Sequence, residues 1–253
     1  MSPAPAPATI IGGPVSPYVR KVMTVCEMKG VPYRLDPIVP FFGGDTFSEL
    51  SPLRRIPVFI DDKVSICDSS VICEYLEERY PTPAVLPADL AQRAQARWLE
   101  EFADTRMGQV VIWKIFYQAV ILPFVFKKER DKEKIAATVN EELPDVLAYL
   151  ESVAPASGFL FGGTVSLADL AVAIFACNLR WARVEPDAKR WPKAVAWIDR
   201  TAAGPALAKT TRIADKVMQT MPDQHRKVLA ELGVALTDTT VGTDRPRRGP
   251  MTA

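Results

Sequence analysis

The chain contains a single histidine, His225, in 253 residues. A serine hydrolase triad needs an imidazole beside its nucleophile, and this one lies in the C-terminal region, remote in sequence from any hydroxyl that opens a helix. The four cysteines, Cys26, Cys67, Cys73 and Cys177, form no Cys-x-x-Cys pair. So few sulfur and imidazole donors leave no plausible zinc set, and no metal is expected. Charge of one sign is also missing: 31 basic residues face 30 acidic ones, for a net +1. That balance excludes nucleic acid and anionic membrane as principal partners. No apolar run in the sequence reads as a membrane span. The opening Met1-Ser2-Pro3-Ala4-Pro5-Ala6-Pro7 has neither the charged nor the apolar part of a secretory leader. Residues 1–7 read instead as an extended, flexible lead-in, and the thiols are expected to be reduced in a cytoplasmic protein.

What the chain does have is apolar content, 48% of residues, and two contrasting halves. Thr9-Ile10-Ile11 predicts a short strand. Ser16 then opens a helix to about Lys29, with Val19, Val22, Met23 and Cys26 at helical spacing and Gly30 as its C-cap. Residues 31–38 predict a second strand, parallel to the first through a right-handed crossover. A long loop, 39–56, carries Phe41-Phe42-Gly43-Gly44, a length that points to binding. Residues 58–60 and 64–67 read as a hairpin, and Asp68-Ser69-Ser70 opens a helix to about Arg79. A proline-rich break over 80–87 reads as a linker. Beyond it strand signals vanish and helices are predicted over 89–122, 135–153, 167–179, 192–202, 205–220 and 223–233. Ser166-Leu167-Ala168-Asp169 is a Ser-x-x-Asp variant of the capping box. The expected domains are 8–81 and 88–233, with 236–253 a flexible tail.

The chemistry concentrates in Ser16-Pro17-Tyr18. A helix N-terminus presents free N–H groups and the positive end of the macrodipole, and a hydroxyl there can donate one more hydrogen bond to an anion. Taken alone, serine followed by proline is also a common structural helix start.

Read in order, Ser16-Pro17-Tyr18, Ser51-Pro52-Leu53-Arg54-Arg55-Ile56-Pro57-Val58, Asp68-Ser69-Ser70-Val71-Ile72-Cys73-Glu74-Tyr75-Leu76 and Ser166-Leu167-Ala168-Asp169 resemble the glutathione S-transferase superfamily, over about 10–221. Within it the chain is similar to serine-type classes, theta-like and bacterial β-aryl-etherase-like. The resemblance implies an α/β thioredoxin-like N-terminal domain, an all-α C-terminal domain and a homodimer. It implies that glutathione is the co-substrate and a hydrophobic electrophile the acceptor. Ser16 would stabilise the glutathione thiolate, with Tyr18 a rival donor. Arg55 or Arg54 would pair with the glycyl carboxylate. The backbone of Ile56, before a cis Pro57, would pair with the cysteinyl unit, and Asp68 and Ser69 would hold the γ-glutamyl end. Tyr18, Phe41, Phe42, Trp113, Phe116 and Tyr117 are the expected lining of an acceptor pocket. Arg54 departs from the family's glycine and Arg55 from its lysine. Aryl-ether cleavage by the same thiolate and a non-catalytic ligand-binding or assembly role are the alternatives.

Overall fold

The structure, a computed structural model, describes residues 7–247; the expected lead-in lies almost wholly outside that range. Contacts divide the chain into two compact units, one of residues up to Pro83 together with those from Ala208 onward, the other Ala84–Leu207. In this division residues 208–233, expected with the helical domain, group with the first unit.

The first unit is built on a four-stranded sheet. The strands are β1 (Ala8–Ile11), β2 (Tyr33–Asp36), β3 (Val58–Ile60) and β4 (Ser65–Cys67), in the order β2-β1-β3-β4. β1 and β2 are parallel, joined by helix α1 (Pro17–Lys29), while β3 runs antiparallel to β1 and β4 antiparallel to β3. Ser16 caps α1, Pro17 occupies its first turn, and Gly30 ends it at φ 64°; a left-handed C-cap is the position glycine fills at least cost. Helices α2 (Asp45–Leu50) and α3 (Ser69–Arg79) complete this part. Hydrophobic residues Ile10, Val22, Leu35, Phe59, Ile72 and Leu76 are fully buried. So is the side chain of Lys29, whose Nζ donates to Glu77 Oε2 and to the carbonyls of Tyr80 and Pro83 at 2.7–2.8 Å. A buried ammonium is tolerated when it is paired and hydrogen-bonded, and here its acceptors tie α1 to the end of α3 and to the linker.

The expected flexible tail is instead docked as far as the structure describes it. Leu236 bridges Leu35 in parallel, and Gly242 bridges Gly43 in antiparallel sense. The remainder of that expectation, 248–253, lies outside the described residues.

The second unit is helical. Its longest element, α4 (Leu90–Phe126), contains an 18-residue window of mean hydropathy 1.6. By length and composition that stretch could cross a membrane, contrary to the reading of the bare sequence. Met107, Val110, Val111 and Ile115 on it are nonetheless buried, packed with α7 (Leu167–Trp181). Between Ala103 and Ile121 the helix is wound wide, and the Leu122 N–H reaches back five residues to Tyr117 O. Such winding usually lasts a single turn. Before α7 come α5 (Lys132–Ala137), a wide turn at Thr138–Glu142, and α6 (Leu143–Val153). α8 (Pro192–Ala202) follows α7, while α9 (Pro205–Met218) and α10 (His225–Glu231) lead back to the first unit. The Ser166 capping box forms as its spacing predicts.

Candidate active site

Strand register gathers the candidate residues. Ile11 pairs with Asp36 on one side and with Val58 on the other, and Val58 pairs with Cys67. Ser16 lies beyond Ile11, Ile56-Pro57 just before Val58, Asp68 just after Cys67, and the 39–44 loop beyond Asp36. All four segments therefore leave the same end of the sheet, on neighbouring strands about 4.8 Å apart. The contact between Lys21 Nζ and Ser70 Oγ at 3.4 Å ties the second turn of α1 to the first turn of α3.

Ser16 is half-buried, and its Oγ accepts from the Val19 N–H at 3.4 Å. That long capping bond uses an oxygen lone pair and leaves the hydroxyl hydrogen available to donate. Arg20 is completely buried and donates back to the carbonyls of Pro14 at 3.1 Å and Val15 at 3.4 Å, bracing the approach to Ser16. Arg20 and Lys21, both fully buried, follow this helix start, which itself favours an anion. Neither stood out in the sequence. Tyr18 is half-buried within the first turn of α1.

The turn between Ile11 and Ser16 requires a small residue. Gly12 has φ 141°, and a Cβ there would stand 2.5 Å from Val19 Cγ2 and 2.9 Å from Ile56 Cβ. Gly12→Ala is expected to cost about 1–3 kcal/mol by strain and overpacking, read as a lowered denaturation midpoint. An unchanged midpoint would show that the turn relaxes freely.

The Ile56–Pro57 bond is cis. Buried Ser51 shapes its entry, with Oγ donating to Arg55 O at 2.8 Å and accepting from the Arg55 N–H at 3.0 Å. No described residue hydrogen-bonds the Ile56 N–H or carbonyl. The two arginines separate clearly. Arg54, at φ 51°, is 8% exposed; it donates to Gly43 O at 2.8 Å and to Ser48 Oγ, and lies 5.6 Å from the Phe47 ring centroid. It is committed to the 43–48 segment, whereas Arg55 is exposed. Asp68 is exposed at φ 79° and caps α3 through Oδ1, which accepts from Ser70 N at 2.9 Å and Val71 N at 3.3 Å. Its Oδ2 has no partner among the described residues, so a cation can be received there. Ser69 is buried at the first helical position.

The aromatic candidates separate by burial. Phe41, 3% exposed, and Phe116, 4% exposed, are core residues; Phe116 packs 6.1 Å from Trp181. Aromatics at helical spacing fill the interior as readily as they line a pocket. Phe42 is half-buried, Trp113 is 38% exposed, and Tyr117 stacks between Trp113 and Phe126 at 6.2 and 6.3 Å. A cavity of about 370 Å³ bordered by Cys26, Gly30, Tyr33, Lys209 and Ala235 lies at the far end of α1 from Ser16. The Cys26 thiol there is pushed far above its ordinary pKa by burial and by Glu27, which leaves it protonated and unreactive.

Two family models match the chain. The glutathione S-transferase N-terminal domain model matches residues 10–84, and the C-terminal domain model matches 117–209. The chain is 30% identical over 162 residues to a probable glutathione S-transferase of Glycine max, covering 64% of this chain and 66% of that one. It is also 30% identical over 156 residues to a stringent starvation protein A homolog of Haemophilus ducreyi, covering 62% and 67% respectively. Among solved structures, a glutathione S-transferase from Sinorhizobium meliloti superposes with a TM-score of 0.74 at 24% identity, over 88% of this chain and 99% of that one. At that identity the likeness speaks for the fold.

Proposed function

Because this chain belongs to the glutathione S-transferase superfamily, we propose that it is a glutathione transferase in which Ser16 stabilises the glutathione thiolate for attack on an apolar electrophile. The observation that carries this reading is the shared sheet end, where Ser16, Ile56 and Asp68 leave adjacent strands. Glutathione is an extended tripeptide with a charged group at each end and a thiol between them. The unengaged backbone of Ile56 suits its cysteinyl unit by edge pairing. Asp68 Oδ2 suits the α-ammonium, and Ser69 with the α3 N-terminus suits the adjacent carboxylate. Arg55 suits the glycyl carboxylate.

In the reaction the thiol proton passes to solvent, the thiolate sulfur forms a bond to the electrophilic carbon, and the leaving group departs with its electron pair. Ser16 keeps its proton throughout. Lowering a thiol from about 8.5 to about 7 requires roughly 2 kcal/mol. A hydrogen bond to a charged sulfur contributes on the order of 1.5–3 kcal/mol, and the helix end about 0.3–1 kcal/mol. These suffice without histidine or metal. Tyr18 and half-buried Phe42 are the acceptor-side aromatics of this unit.

Calorimetric titration with glutathione, run beside a conjugation assay with a chloronitrobenzene, tests the reading. Binding with turnover supports it, whereas heat without turnover would leave a ligand-binding protein. A panel of aryl ethers against aryl halides separates ether cleavage from halide displacement. The arginines give a sharper test. Arg55→Ala is expected to weaken glutathione binding about 3- to 10-fold, a charge-assisted bond discounted for exposure. Arg54→Ala should leave affinity within about twofold yet lower the thermal midpoint, since it removes a buried brace. The opposite pattern would reverse the assignment.

A further inference from the structure

The residues after α10 form a strap across the β2 edge and the 39–44 loop, and nothing in the chemistry described so far uses it. Gly233, at φ 74°, turns the chain out of α10. The Leu35 N–H then donates to Ala235 O at 2.8 Å, and the Thr237 N–H donates to Leu35 O at 3.2 Å. This is strand addition to an edge that would otherwise be open. Further along, the strap leaves the strand and grips the loop. Gly44 N–H donates to Val241 O at 2.8 Å, and Thr243 N–H donates to Phe42 O at 2.6 Å. The Arg247 N–H reaches Phe41 O, and its guanidinium reaches Asp45.

Two details show that the grip is built into the fold. Asp36, 2% exposed at the end of β2, accepts from Val241 N–H at 2.8 Å and from Arg226 Nη1 at 3.3 Å. Its buried carboxylate is thus satisfied from the C-terminal segment. Val241 also packs on the cluster of Ile11, Ile38, Phe47 and Val58, which Ile56 joins. That cluster underlies both Gly12 and the cis-proline turn. The approach is tight: a Cβ on Gly242 would lie 3.0 Å from Ile38 Cγ2, and one on Gly44 would lie 3.1 Å from both Thr243 Cγ2 and Val241 O, so that a methyl fits only with a shift of a few tenths of an ångström and a larger side chain does not.

We propose that residues 234–247 are a positioning strap that clamps the 39–44 loop, and so sets where Phe42 meets the acceptor. This rests on the transferase reading for its catalytic consequence, but not for the clamp itself. Without the strap, Phe42 keeps a backbone bond to Val39 O and Gly43 one to Pro40 O, both internal to the loop. Arg54 holds only the loop's far end. The strap therefore governs the placement of Phe42 more than that of Ser16, Arg55 or Asp68.

The test is Gly242→Val in the full chain, with Gly242→Ala as the conservative variant and Val241→Asp as a second route to undocking. Hydrogen exchange is read peptide by peptide, together with calorimetric glutathione affinity and the acceptor KM. The strap model expects the 39–45 amides to exchange at least about tenfold faster in Gly242→Val and Val241→Asp, with α1 and α3 unchanged and Gly242→Ala near wild type. In Gly242→Val it expects the acceptor KM to rise several-fold while glutathione affinity stays within about twofold. Unchanged exchange over 39–45 would overturn the clamp. Faster exchange with an unaltered acceptor KM, or with glutathione affinity falling in step, would overturn the positioning role. If the wild-type chain binds no glutathione, the transferase reading fails, and the exchange measurement alone still decides whether the strap holds the loop.

Discussion

Ser16→Ala is expected to raise the pKa of the bound glutathione thiol by about one to two units, since a hydrogen bond to a charged group is worth on the order of 1.5–3 kcal/mol and one unit is 1.36 kcal/mol. The sign follows from which form the bond favours. The hydroxyl donates to the thiolate, so the wild-type pKa is depressed and the advantage fades as pH rises above the variant's pKa. Well below both values the thiolate fraction falls about 10- to 100-fold. The rate falls less, because a more basic thiolate is intrinsically a better nucleophile, with a Brønsted slope of roughly 0.4–0.5. The net loss is then about 3- to 10-fold at neutral pH. Above the variant's pKa both enzymes carry full thiolate, and the variant should equal or exceed wild type. A pH–rate profile at saturating glutathione checks this, alongside thiolate absorbance of the binary complex. A loss of rate that persists unchanged to high pH would assign Ser16 to something other than thiol ionisation. Helix α1 survives the substitution: the capping bond is 3.4 Å long, and a lost serine cap costs about 1 kcal/mol.

The pattern behind that prediction was legible in the sequence wherever the signal was local. Ser16-Pro17 and Gly30 bound α1 because capping and left-handed termini depend on the residues at those positions. Strands β1 and β3 were readable from their β-branched residues, and Asp68 from its place ahead of a helical pattern. Contributions from distant residues were not legible. Arg20 sits on the same helix as Ser16, yet a charged residue at that spacing reads as solvent-exposed until the packing around it is known. Arg54 and Arg55 are chemically alike and adjacent; the left-handed backbone at Arg54 turns one guanidinium inward. The strap is held mainly by backbone bonds and one apolar side chain, Val241. Such pairing leaves no hydrophobic period, and a segment rich in Thr, Gly and Arg looks like disorder. The burial of Phe41 and Phe116 was not legible for the converse reason: an aromatic's type and spacing are the same on either side of a core boundary.

Asp169→Ala is expected to be the most damaging single substitution to the second unit, lowering stability by about 3 kcal/mol or more. The capping box alone would not predict this. Asp169 is fully buried. Its Oδ2 accepts from Ser166 N–H at 2.8 Å and Ser166 Oγ at 2.6 Å, while Oδ1 accepts from Leu160 N–H at 3.0 Å and Trp197 Nε1 at 2.7 Å. One carboxylate thus joins the start of α7, the loop before it and the indole of α8, whose ring is 1% exposed. Alanine strands these donors in the interior, where each unsatisfied group costs about 1–3 kcal/mol, less than additively because they share a site. Ser166→Ala removes the helix cap and one of the four donors to Asp169, leaving the other three in place, and should cost about 1 kcal/mol. For a chain of this size 1 kcal/mol corresponds to about 2–4 °C in midpoint. Asp169→Ala should therefore melt about 6–12 °C below wild type, and Ser166→Ala about 2–4 °C below. Asp169→Asn should fall between them, because its amide oxygen can still serve Trp197 and Leu160 while its NH2 group faces the Ser166 donors. Equal losses for Asp169→Ala and Ser166→Ala would reduce Asp169 to half of a capping box, and would show that Trp197 and Leu160 find other acceptors when it is gone.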